Sequence, residues 1–101
     1  MLDEIMAALA DEHRRELLVA LSKHNPQAAV QTPEGVQLGD EQLEELQIEM
    51  CHNHLPRLED AGFIEWQKKQ DIVVKGPEFE QIEPVLEMFE ENADELPVEW
   101  P

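Results

Sequence analysis

The stretch from Glu41 to Gly62 constrains the fold more than any other part of the chain. Its apolar side chains recur every three to five residues, close to the period of an α-helix. Pro56 conflicts with that pattern, because it lacks a backbone N–H and its ring clashes with the preceding turn. The helix therefore either kinks at Pro56 or ends and restarts there. Gly62 is suited to end it, since glycine readily adopts the left-handed conformation common at helix C-termini.

A β-hairpin is expected directly after this helix. Two runs rich in β-branched and aromatic residues, 63–66 and 71–75, flank the short polar link 67–70. A helix that leads into a two-stranded hairpin is the second half of a winged helix–turn–helix. We therefore predict a mainly helical α+β fold in which residues 41–62 form the recognition-type helix and residues 63–75 form the wing.

Helical periodicity also marks both ends of the chain, which at 101 residues is expected to be a single domain. Residues 1–24 are predicted to form N-terminal helices, with Asp11 as an N-cap, and it stays open whether the two segments run together. Residues 78–92 are predicted to form a C-terminal helix that Pro84 kinks or divides. The tail, 93–101, is expected to lie extended across the domain or across a partner subunit.

The segment between the N-terminal helices and the long helix is the least regular. Among residues 27–40, only Val30, Val36 and Leu38 are candidates for burial, and no helix is demanded. Residues 36–38 are a candidate third strand beside the hairpin. Asp40 is the expected N-cap of the long helix.

Charge is the most unusual feature of the composition. Seven basic residues face 24 acidic ones, giving a net charge of −17. Such self-repulsion destabilises the folded state at low ionic strength, and salt relieves it. A generic acidic protein and adaptation to a salt-rich cytoplasm are both compatible with this charge. By itself, the charge argues against nucleic-acid binding, because neutralising phosphates requires Lys and Arg.

Several classes of protein and site find no support in the sequence. No apolar run approaches the roughly 20 residues of a membrane span, the N-terminus lacks the basic region of a signal peptide, and the single cysteine excludes an internal disulfide, so we expect a cytoplasmic protein. Neither a catalytic motif nor a cofactor site is found. Cys51 and His54 share a helix face, but a structural zinc site needs four ligands. We predict no metal site, and interpret this group as a buried thiol beside surface histidines.

Several blocks of the chain resemble the haloarchaeal ArsR-like winged-helix proteins. The specific block is HLPRLEDAGFIEW, residues 54–66, and the other similar stretches are HRRELL at 13–18, HNP at 24–26, VKGP at 74–77 and ELP at 95–97. The resemblance covers most of the chain. It implies a winged helix–turn–helix fold, an intracellular halophilic setting and a role in transcription regulation.

Candidate functional residues follow from that fold. Phosphate contacts are assigned to Arg57, Lys68, Lys69 and Lys75, and base-edge contacts to His52 and Asn53. The alternative for the hairpin lysines is ordinary exposed charge that keeps the wing soluble and discourages edge pairing. Arg14 and Arg15 are expected to pair with neighbouring acids. The helical stripe of Phe79, Ile82, Val85, Leu86 and Phe89 is interpreted either as core or as a homodimer interface.

Two functional hypotheses remain. The first is a dimeric regulator that binds double-stranded DNA in high salt. The second is a protein-interaction module that kept the winged-helix scaffold and lost DNA binding. The second is motivated by the net charge, the irregular segment 27–40, and four glutamates at the start of the recognition-type helix, at positions 41, 44, 45 and 49.

Overall fold

The computed structural model describes residues 1–30 and 38–101 of the chain. In chain order, its elements are α1 (Leu2–Leu9), α2 (Glu12–Lys23), β1 (Gln27–Ala28), α3 (Asp40–Glu49), a π-helical turn (Met50–His54), α4 (Leu55–Asp60), β2 (Ile64–Gln67), β3 (Ile72–Lys75), α5 (Phe79–Glu91) and a 3-10 turn (Ala93–Glu95). The predicted hairpin and C-terminal helix are therefore confirmed, with ends that shift by one residue.

In the helical run from α3 to α4, the α-helix ends at Glu49 and restarts at Leu55, with a π turn between α3 and α4 and Pro56 in the first turn of α4, which is one of the two predicted outcomes. The π turn accommodates Pro56, because Leu55 donates its N–H to the Met50 carbonyl, five residues earlier in the chain. This wider turn gives the proline ring room where an α-helical carbonyl would clash with it. Gly62, at φ +83°, then ends the run as predicted. The Phe63 N–H bonds the Leu58 carbonyl and the Gly62 N–H bonds the Glu59 carbonyl, which is the Schellman arrangement.

The hairpin belongs to a three-stranded antiparallel sheet with the strand order β1-β3-β2. Among the described residues, the third strand is formed by Gln27–Ala28, which pairs with β3. Leu38 is not in a strand and packs against the core, while residues 36 and 37 lie outside the described residues. Ala29, which follows β1, is fully buried, although its small side chain gave no hydrophobic signal in the sequence.

Helix ends agree with the sequence in part. Asp11 caps α2 as predicted, its Oδ1 accepting from the amides of His13 at 2.8 Å and Arg14 at 3.2 Å, and α1 and α2 are separate helices. The N-cap of α3 is Gly39 rather than Asp40, which is the first helical residue. Helix α5 is continuous through Pro84, so the proline does not divide it.

The hydrophobic core lies where α2 meets the other layers. Helix α2 packs against α1, α5, β1 and the π turn, and α4 packs against β2. The largest fully buried side chains come from α2, the π turn, α4, the hairpin with its preceding residue, and α5: Leu17, Leu18, Leu21, Met50, Leu55, Leu58, Phe63, Ile64, Val73, Ile82 and Leu86. The result is a compact α+β domain. Among the described residues, no helix combines the length and the apolarity needed to cross a bilayer.

Candidate nucleic-acid interface

Three predicted contact residues lie on the helical run at and just after the π turn. Asn53 Nδ2 donates to Glu49 Oε2 at 3.3 Å, and Arg57 Nε donates to Asn53 Oδ1 at 2.9 Å. His52 and Arg57 are exposed, and Asn53 is half-buried. Glu49, Asn53 and Arg57 are each four residues apart, so these three hydrogen-bonded side chains lie along one face of the helical run. The structure therefore brings Asn53 and Arg57 into direct contact.

The wing carries the next two predicted residues in its turn, residues 68–71. Lys68 and Lys69 are both exposed, and the Lys68 ammonium lies 5.0 Å from the centre of the Trp66 ring. The main-chain N–H of Trp66 donates to Glu59 Oε2 at 2.9 Å, which ties β2 to the end of α4. The ring contact and the tie to α4 orient the turn relative to the helix. Two positive charges are thus presented at the tip of the hairpin.

Lys75 lies apart from that turn. It ends β3, about 13 Å along the strand from Asp71, the nearest residue of the turn. Its ammonium pairs with Glu83 Oε2 of α5 at 3.1 Å and lies 5.0 Å from the centre of the Phe79 ring. Since an internal carboxylate already neutralises it, Lys75 joins the hairpin to α5. A phosphate contact would have to compete with Glu83.

The N-terminal half of the helical run is acidic on its exposed side. Glu41, Glu44, Glu45 and Glu49 are all exposed on α3. Carboxylates repel phosphate oxygens, so this half does not attract a nucleic acid backbone. The charge changes sign along the run, because Arg57 follows on α4 and the wing lysines lie beyond it. Any favourable contact with phosphate is therefore confined to α4 and the wing.

A polar cluster formed by Arg14, His54 and Asp11 was not predicted from the sequence. The Arg14 guanidinium is almost fully buried and donates to the carbonyls of Ala8 at 3.2 Å and Ala7 at 3.0 Å. Its third nitrogen lies 2.9 Å from Nδ1 of His54 in the π turn. Among residues 1–30 and 38–101, neither Arg14 nor Arg15 forms the expected ion pair with an acidic side chain, and Arg15 Nη1 instead donates to the Leu9 carbonyl at 2.8 Å. Both arginines satisfy carbonyls that end α1, which a charge pattern alone does not reveal.

His54 completes the cluster and corrects another prediction. Only 4% of its surface is exposed, so it is not a surface histidine, and its Nε2 lies 3.6 Å from Oδ1 of Asp11. Burial lowers the pKa of His54 below its ordinary value, and the positive Arg14 nearby acts in the same direction. Burial acts to raise the pKa of Asp11, but the amide of Arg14 and the neighbouring positive groups outweigh it and hold that pKa below its ordinary value.

The remaining members of the Cys-His group are more exposed than His54. Cys51 is half-buried rather than buried, and His52 is exposed. Within residues 1–30 and 38–101, no three His, Cys, Asp or Glu side chains are grouped so that they could hold a metal ion. The spacing of Cys51 and His54 did not signal the role that His54 has, because that role depends on Arg14, 40 residues earlier.

The predicted dimer stripe mostly faces the core of its own chain. Phe79, Ile82 and Leu86 are buried, while Val85 and Phe89 are half-buried. The tail covers part of this helix, because the Trp100 ring stacks on Phe89 at 4.9 Å. The tail thus lies against its own domain. A partner could reach only the half-buried part of the stripe, and the interface itself stays a prediction.

Comparison with known proteins identifies a family for this chain. The sequence model of a family described as "Domain of unknown function (DUF7344)" matches residues 6–74, which span α1 to β3 and include the helical run and the wing. No curated protein and no solved structure matches the chain.

Proposed function

The chain belongs to the DUF7344 family, and we propose that it is a winged helix–turn–helix protein that acts as a DNA-binding transcription regulator in a halophilic archaeon. One observation carries the proposal. The helical run ends directly before an antiparallel hairpin whose turn presents Lys68 and Lys69, with Arg57 exposed on the same run. A helix and an adjoining basic hairpin are the parts with which a winged-helix protein holds a duplex. The resemblance to haloarchaeal ArsR-like proteins supports the same function.

In this proposal, the second half of the helical run faces the major groove. His52 and Asn53 lie nearest the base edges, where an asparagine amide can donate and accept hydrogen bonds to adenine. Arg57 and the two wing lysines contact phosphates and fix the register of the protein on the duplex. The acidic first half of the run points away from the duplex. The contact surface is therefore small, and a homodimer would double the number of phosphate contacts.

High salt shapes how such a protein would work. A net charge of −17 repels DNA at low ionic strength, and salt screens this repulsion between distant charges. The same salt weakens phosphate contacts, because the entropy gained by releasing each condensed counterion falls as the bulk salt concentration rises. Binding in molar KCl must therefore depend strongly on base or shape readout. This favours a specific operator over general DNA coating.

A protein-interaction module is the second candidate. It is favoured by the exposed carboxylates of α3 and by the apolar side chain of Met88, which is 62% exposed on α5. In this case the wing lysines serve solubility, and α5 contacts a second protein. The two candidates differ in whether the wing lysines affect DNA binding.

The test compares two variants with the same change in net charge. Lys68→Gln with Lys69→Gln removes two positive charges at the wing, and Lys23→Glu makes an equal change at the exposed end of α2. If the wing contacts two phosphates, the slope of log binding constant against log salt falls by about 2 in the wing variant only. The measurement is DNA binding by fluorescence anisotropy across a KCl series. Equal slopes in both variants would remove the wing from the interface, and the absence of DNA binding would favour the interaction module.

A further inference from the structure

The cluster of buried Arg14 and His54 with half-buried Asp11 connects two parts of the fold that are distant in sequence. Arg14 and Asp11 lie at the corner between α1 and α2, and His54 lies in the π turn of the helical run. We propose that the contact between Arg14 and His54 is a proton-sensitive connection that is closed while His54 is neutral and opens when His54 is protonated. The inference does not depend on DNA binding.

The hydrogen bonds define the closed form. A guanidinium has N–H donors and no acceptor. Nδ1 of His54, 2.9 Å from Arg14 Nη1, must therefore accept the hydrogen bond through its lone pair. The ring proton must then be on Nε2, which faces Asp11 Oδ1 at 3.6 Å. The same guanidinium also bonds the carbonyls of Ala7 and Ala8 at the end of α1. A neutral His54 of this tautomer thus holds α1, α2 and the π turn together.

A second proton on the ring breaks this arrangement. Nδ1 would then carry an N–H and could no longer accept from Arg14, and two buried positive charges would face each other. Asp11 would attract the charged ring, but its Oδ1 is already the N-cap acceptor for α2. Protonation therefore breaks the bond between His54 and Arg14, and the charged ring then competes with the amides of His13 and Arg14 for Asp11 Oδ1. The corner and the π turn separate as a consequence.

The charged groups around His54 decide the direction of the pH effect. From α2, Arg14 and His13 disfavour a charged ring and Asp11 favours it; from α3, Glu49 also favours it. Burial is the largest effect, and the result is a pKa lowered from its ordinary value of 6.5. The unfolded chain then binds this proton more readily than the folded one. The stabilisation by neutral His54 is present above pH 6.5 and is lost as the pH falls below it.

NMR of histidine-labelled protein in molar KCl tests the connection on the unmodified chain. We expect His54 to be the Nε2–H tautomer at neutral pH, to titrate below a free imidazole, and to shift the amides of residues 11–14 in the same step. An Nδ1–H tautomer would overturn the proposal. So would titration at or above the free imidazole, or unchanged amides at the corner.

Urea unfolding at several pH values gives an independent test with a matched control. His54→Gln removes the titrating group but keeps an amide oxygen that can accept from Arg14, while His52→Gln makes the same change on the exposed side of the turn. As the pH falls below 6.5, the unfolding constants of wild type and His52→Gln rise by up to about tenfold per pH unit, and that of His54→Gln rises less. Identical pH dependence in all three proteins would contradict the proposal. If His54→Gln does not fold, the NMR titration decides alone.

Discussion

Replacing Arg14 with lysine tests how strongly the corner between α1 and α2 is held to the helical run. The change keeps the net charge at −17 and removes only the planar fork that reaches three acceptors. A lysine ammonium can keep about one of these contacts. Loss of the other two, at about 1–1.5 kcal/mol each, gives a destabilisation of about 2–3 kcal/mol. With about 2.1 cal/mol/K of unfolding entropy per residue and 101 residues, this lowers Tm by roughly 10–15 °C.

The neighbouring residue supplies the control. Arg15→Lys makes the same chemical change at a side chain with one bond, from Nη1 to the Leu9 carbonyl at 2.8 Å, which lysine can also make. We expect Arg15→Lys to lower Tm by less than about 5 °C. The measurement is thermal unfolding by far-UV circular dichroism in molar KCl. Equal, small shifts in both variants would refute the view that the Arg14 fork holds these elements together.

Two further predictions concern stability, measured by urea unfolding in molar KCl. Gly76→Ala places a Cβ 2.7 Å from the main-chain nitrogen of Ile64 and is expected to cost about 2–3 kcal/mol, whereas the nearest atom at Gly39 is 3.8 Å away and Gly39→Ala should cost less than about 1 kcal/mol. Equal costs for Gly76→Ala and Gly39→Ala would show that Gly76 is not packed tightly against the main chain of Ile64. Trp100→Ala removes the ring stack on α5 and should cost about 1–2 kcal/mol, while Val98→Ala, at a 70% exposed position, should stay within about 0.5 kcal/mol. A neutral Trp100→Ala would place the tail away from the domain.

Much of the fold follows from local patterns in the sequence. The spacing of apolar residues in the helical run, the two β-branched runs of the hairpin, and the stripe in α5 each depend on residues close in sequence. Gly62 ends the run because it adopts a left-handed conformation that most other residues avoid. Asp11 is an N-cap for a similarly local reason. These predictions agree with the structure because each of these elements is determined by residues that are close to one another in the sequence.

Other features depend on contacts between distant residues. The third strand, Gln27–Ala28, has too few residues to show a periodicity and exists because it pairs with β3. Pro56 correctly indicated that the helix either kinks or ends and restarts, but no residue type signals the π turn that joins α3 to α4. The partner of His54 is Arg14, and only the packing of α2 against the π turn brings them together.

The candidate interface shows the same division. From the sequence, Arg57, Lys68, Lys69 and Lys75 were grouped by their positive charge and by their place on the predicted helix and wing. The structure places the first three on the helical run and the wing turn, and pairs Lys75 with Glu83 instead. A charge pattern cannot show which lysine already has an internal partner.

The central claim is tested most directly by retention of sheared genomic DNA from a halophilic archaeon on the purified protein, across a series of molar KCl concentrations. Nonspecific binding falls steeply as salt rises, because it depends on phosphate contacts and counterion release. We expect a small, reproducible set of fragments to stay bound at high KCl. No retention at any KCl concentration at which the protein is folded would contradict a DNA-binding role and would make the interaction module the leading interpretation.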